Sequence, residues 1–184
     1  MNKKHVYIAV LVAIFAGLLL YVFLVENKKK SKEEEEEVKD QSEVHQVLEF
    51  DKDKAQEIAI EDVSGKMTFK KEGENWTLLE DPAFDVNNLK VQTLINTLSG
   101  LKATDKFESD NLSDFGLDKP QTKVYIRYEG GENAIEFGNK TIDAAEVYLK
   151  KNDDNSVYIV SLSTYIKFET DKDSFKKISN ENGS

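Results

Sequence analysis

DVNNLKVQTLINTLSGL, residues 85–101, decides how the folded part of this chain is built. Val91, Leu94, Ile95, Leu98 and Leu101 fall at i, i+3, i+4, i+7 and i+10, one stripe of an α-helix, while Asn, Lys, Gln and Thr fill the opposite side. Asp85 is placed to cap the first turn and Gly100 to end the last. A helix with one apolar stripe needs an apolar surface to lie on, and the sequence on either side reads as strands.

Ahead of the helix, Ile58 to Val63 reads as a strand with Ile58 and Ile60 on one face. Met67 and Phe69 alternate with polar residues, the turn KKEGEN carries Gly73 and Asn75, and Trp76 to Leu79 returns. Beyond the helix comes a short extended piece at 102–108, then the turn-rich SDNLSDFGLDKPQ at 109–121. Two hairpins follow. Val124, Ile126 and Tyr128 lead to Gly130 and Gly131, and Ile135 with Phe137 returns; Val147 to Lys151 and Val157 to Leu162 flank the turn NDDN. A short helix around Ser163 to Ile178 completes the unit. The expected fold is a small antiparallel α+β domain over residues 49–178, made of β-hairpins with one main amphipathic helix packed on the sheet.

The other strong signal is VYIAVLVAIFAGLLLYVFLV, residues 6–25, which contains no charge and 14 Val, Ile, Leu or Phe residues. Twenty helical residues span roughly 30 Å, the thickness of a bilayer's hydrocarbon core. The run is too long for a secretory leader, lacks a small-x-small cleavage site, and has no cysteine to be acylated. Residues 6–25 are therefore expected to be an uncleaved transmembrane helix in contact with the lipid bilayer, behind an N-terminal tail at 1–5. Two lysines precede it and four follow closely, a count that favours a cytoplasmic C-terminal part; the five-residue tail has the layout of a signal anchor and favours the reverse. Charge alone leaves orientation open. Residues 26–48, with the blocks KKK and EEEEE, read as a charged linker, and 179–184 as a disordered tail.

Residues 26–184 hold 23 basic and 35 acidic side chains, a net charge of −12, which repels phosphate backbones and excludes nucleic acid as a partner. Zero cysteines exclude disulfides, thiolate metal sites and Cys nucleophiles. His5 lies at the membrane edge and His45 in the linker, which leaves the expected domain without histidine. No phosphate-binding glycine loop, GxSxG or HExxH is present. Asp114-Phe115-Gly116 spells a kinase metal-binding triplet, but the other kinase motifs are missing. Asp51 with Asp53, Asp153 with Asp154, and Asp171 with Asp173 lack EF-hand spacing and read as solvated turn acids. No catalytic residue, metal site or cofactor is expected.

Trp76-x-Leu78 leading to Pro82, the capped helix, Phe115-Gly116-Leu117-Asp118-Lys119-Pro120 before a strand, Ile135-x-Phe137-Gly138-Asn139, and the pairs Val147-Tyr148 and Val157-Tyr158 form a pattern. It resembles the bacterial family called domain of unknown function 4340, over roughly residues 49–170. Many relatives carry two copies of the unit and this chain one; Ala145 and Glu146 stand where a glycine often precedes the tyrosines. The resemblance implies a membrane-anchored protein with its domain outside the cytoplasm, in some relatives associated with ABC-type transporters of the gliding-motility kind. It marks Trp76, Pro82, Gly116, Leu117, Asp118, Pro120, Gly138 and Tyr148 as family-motif positions with structural roles. Trp76 is expected in the core, Gly116 at a positive φ, and Pro120 at the stiff start of a strand.

The expected function is a single-pass, non-enzymatic accessory module whose partner is a membrane protein such as a transporter subunit. The contact would run through the sheet face or the turn at 109–120. The alternative is an extracytoplasmic binding or sensing domain for a small ligand or cation. A hydrolase using two carboxylates ranks third, because nothing in the sequence pairs the acids.

Overall fold

Strand alternation, more than helix, shapes the described residues. The computed structural model describes residues 44–152 and 154–178; the expected tail at 1–5, the apolar run at 6–25, the linker up to residue 43 and the tail at 179–184 lie outside the described residues. Among those described, no helix is long and apolar enough to cross a membrane.

The elements in order are β1 (His45–Gln46), β2 (Ala55–Asp62), β3 (Gly65–Glu72), β4 (Asn75–Leu78), α1 (Asn88–Ser99), β5 (Lys102–Ala103), β6 (Asp105–Glu108), β7 (Thr122–Tyr128), β8 (Gly131–Lys140), β9 (Glu146–Lys151), β10 (Ser156–Ser161) and α2 (Leu162–Tyr165). Short 3₁₀ turns occupy Lys52–Lys54, Leu112–Phe115 and Lys172–Phe175. Eight strands form one sheet in the order β4-β3-β2-β7-β8-β9-β10-β6, with every neighbouring pair antiparallel. β1 and β5 form a separate two-stranded ladder.

Register puts apolar residues on one face across the sheet. Ile58 lies opposite both Phe69 and Ile126, Val124 opposite Ile135, Phe137 opposite Leu149, and Leu149 opposite Tyr158. Two covers lie on this face. The first is α1, whose Val91, Leu94, Ile95 and Leu98 are all buried, the stripe expected from the period. The second is the C-terminal segment. Tyr165 and Phe168 meet Phe137 with ring centroids 5.1 and 5.6 Å apart, and Phe175 meets Phe69 at 4.7 Å. Such ring pairs contribute beyond their buried area.

Three boundaries differ from the sequence reading, each for a packing reason. The helix is capped by Asn87, whose side chain accepts from the Lys90 amide, because Val86 and Asp85 are drawn into an extended bridge with the C-terminal segment. The expected helix at 163–178 is instead one turn of helix, a gap, and a 3₁₀ turn capped by Asp171; this spacing lets Phe168 and Phe175 both reach the sheet. The folded unit also starts earlier than residue 49. Val47 and Leu48 are buried, and their amides donate to the Leu101 carbonyl beyond the end of α1. His45 pairs with Ala103, so the domain does contain a histidine.

Leu98 is fully buried under the sheet. Leu98→Ala is expected to cost about 2–5 kcal/mol through lost burial and the cavity left behind. Urea unfolding measures it, with the m value unchanged.

Candidate functional site

The motif residues separate into two places. Trp76 is buried at one edge of the sheet, and its amide donates to Asn88 Oδ1 at 2.9 Å, pinning the start of α1 to β4. Pro82 is exposed in the turn that follows β4, where the Phe84 amide closes on the Asp81 carbonyl.

The other motif residues converge from three stretches of sequence. The loop at 109–120 folds back onto the face of the sheet opposite α1. Its 3₁₀ turn is closed by the Leu117 amide on the Leu112 carbonyl at 3.0 Å and by Gly116, in the left-handed region at φ 68°. This is a helix-ending motif that glycine satisfies without the strain other residues carry. Phe115 then sits between two rings, 5.2 Å from Phe107 on β6 and 4.9 Å from Tyr148 on β9, both edge-on. Leu117 is buried.

Gly138 explains how the loop comes so close. β8 bulges between Phe137 and Lys140, and a Cβ added at Gly138 would lie 2.2 Å from the Phe115 carbonyl oxygen and 3.0 Å from a Leu117 methyl. A side chain is excluded there by backbone, which cannot move aside as a flexible side chain can. Beyond Gly116, Asp118 is exposed and Pro120 half-buried, and the Gln121 amide donates to the Phe137 carbonyl at 3.1 Å as β7 begins. The loop thus holds its exposed acids Asp110, Asp114 and Asp118 on a rigid base.

The rest of this open face is polar. Glu57 pairs with Arg127, and Glu136 lies 3.2 Å from Lys123 and 3.0 Å from Lys150. Tyr125 stands among them between the small residues Ala59 and Ala134, forming a shallow concavity of about 340 Å³. Glu57, Arg127, Glu132, Asn133 and Asn152 also line it. The turn acids act as caps: Asp51 accepts from the Asp53 amide, Asp171 from the Ser174 amide and Asp154 from the Ser156 amide. Among the described residues no three His, Cys, Asp or Glu side chains gather as a metal would require.

One polar cluster escaped the sequence. Tyr158 donates its hydroxyl to Asp154, and Lys106 lies 3.7 Å from that carboxylate and 5.0 Å from the Tyr158 ring centroid. Tyr158 is the main cause holding the Asp154 carboxyl well below its usual range; desolvation opposes it, while Ser156 and Lys106 add to it. Burial pushes the Tyr158 hydroxyl up. The NDDN turn gave no sign of this, since the Lys106 partner comes from a strand far away in sequence.

A family model for a domain of unknown function (DUF4340) matches residues 76–178. No curated protein and no solved structure matches the chain. The matched span takes in β4 and β6–β10 of the main sheet but omits β2 and β3, which lie between β4 and β7. That span alone would leave β4 cut off from the sheet.

Gly138→Ala is expected to lower stability by about 1–3 kcal/mol through overpacking and to raise hydrogen exchange across 109–118. Gly73→Ala, at φ 63° with open space around it, is the control and should leave that loop's exchange unchanged. Asp154→Asn should cost about 1–3 kcal/mol at neutral pH. A depressed carboxyl stabilises above its unfolded pKa near 3.9, so the difference between variant and wild type should shrink as pH falls from about 5 toward 2. Thermal melts over that range check it.

Proposed function

Because the chain belongs to the family of domain of unknown function 4340, we propose that it is a single-pass membrane-anchored module with its folded domain outside the cytoplasm. It contacts a membrane protein of the ABC-transporter class and performs no chemistry of its own. The apolar run at 6–25 supports the anchor by its length and lack of charge.

The observation that carries the contact role is the use made of the motif residues. Phe115, Gly116, Leu117, Gly138 and Tyr148 are spent on fastening a loop to the sheet, and the loop turns Asp110, Asp114 and Asp118 outward. A recognition surface held rigid loses little entropy on binding. A second reading, a domain that binds or senses a small ligand or cation, is favoured by the open-face concavity, whose Glu57, Arg127 and Glu132 offer both signs of charge. A rise in melting temperature with Ca²⁺ or an envelope sugar would favour it.

The tagged full chain, purified from detergent-solubilised membranes, should bring down a transporter subunit. Asp110→Asn, Asp114→Asn and Asp118→Asn together should reduce that recovery about tenfold, roughly 1.4 kcal/mol, without shifting the melting temperature. Recovery of no membrane protein by the wild type overturns the module, and protection of the domain from protease added outside intact cells overturns its orientation.

A further inference from the structure

On the helix side, α1 and the segment 166–175 do not close against each other. They leave a groove of about 440 Å³. Leu94 is its buried floor, while Leu89 and Ile166 stand in it 75% and 53% exposed. Large aliphatics held in water on two elements and facing one groove form an apolar patch that marks a contact surface better than scattered ones do.

The charge in the groove runs against the rest of the domain. Lys90 and Lys167 are its only charged lining residues, and neither forms an ion pair among the described residues; Lys167 donates to the Thr97 hydroxyl at 3.3 Å. On a domain whose residues 49–178 hold 18 basic and 26 acidic side chains, a net charge of −8, two unneutralised lysines beside exposed aliphatics are a local reversal. Lys90 also occupies the first turn of α1, which contains no acid, where the positive end of the helix dipole disfavours a cation. An acid supplied from outside would satisfy both.

The walls are a helix and a stretch with no strand, so an extended peptide finds no edge to pair with. A helix inserting apolar side chains at i, i+3 or i+4 and i+7 needs none. We infer that this groove is the docking site for an amphipathic helix of a partner protein, one that carries acidic residues flanking its apolar stripe. This rests on the module reading above and adds a second surface to the acidic loop. Leu89 and Ile166 would enter the partner's apolar stripe, and Lys90 and Lys167 would meet its acids. The net negative charge of the domain as a whole disfavours an anionic bilayer as the occupant.

A photo-crosslinking residue placed at Leu89 or at Ile166 in the full chain, in the membranes of cells that naturally carry it, tests this. Asp118 and Tyr125 are comparison positions. Crosslinks are expected at Leu89 and Ile166, and sequencing of the attached peptide should show apolar residues at helical spacing with flanking acids. Lys90→Glu with Lys167→Glu should cut that yield about tenfold or more, as loss of two charge contacts implies, while leaving the melting temperature within a few degrees. Crosslinks only at Asp118 or Tyr125 overturn the groove and leave the module standing; none at any position overturns both. Attachment to lipid or to a basic segment, or a yield that charge reversal does not change, also overturns the groove.

Discussion

An eight-stranded sheet presents a face that a twelve-residue helix cannot cover, and the rest of the structure answers to that mismatch. Eight strands at about 4.8 Å spacing span roughly 34 Å, whereas twelve helical residues reach about 18 Å. Ile58, Phe69, Ile126, Ile135, Phe137 and Leu149 all need burial on that face. The C-terminal segment supplies what α1 cannot, through Tyr165, Phe168 and Phe175. It is a structural cover and not a tail. The groove beside Leu89 and Ile166 is the seam where the two covers meet.

The opposite face is built on other physics. Alternating charges let it remain in water, with Glu57 against Arg127 and Glu136 between two lysines. Exposed pairs like these stabilise only weakly, but they keep a broad sheet from presenting an apolar surface. Only where the motif loop docks does this face become apolar, with Phe115 between Phe107 and Tyr148 and Leu117 over Gly138. The free edge strand β6 is guarded too: its residues are Asp105, Lys106, Phe107 and Glu108, and Asp105 accepts the Lys106 amide. Charge and a blocked donor discourage another strand from pairing there.

The strands and helix were legible because each carries its own period. Ile58 with Ile60, Val124 with Ile126, and the α1 stripe needed no partner to be read. The positive φ of Gly116 was legible for the same reason, since FGLDKP encodes a local turn. The helix start was misplaced by two residues because Asp85 and Asn87 both suit a cap, and only the bridge between Val86 and Lys176 decides between them. Val47 and Leu48 resembled the charged linker they follow until Leu101 received their amides.

From sequence alone came the antiparallel α+β class, the apolar run at 6–25, the acidic balance and the motif positions; each is local or compositional, and so survives without coordinates. Tertiary structure decided everything that joins distant residues. It set the strand order that inserts β7 beside β2, and the bulge at Gly138 that receives Phe115. It placed Lys106 against Asp154, and brought Lys90 and Lys167 into one groove. Those pairings depend on which surfaces remain to be buried once the sheet has formed, a quantity that no local period carries.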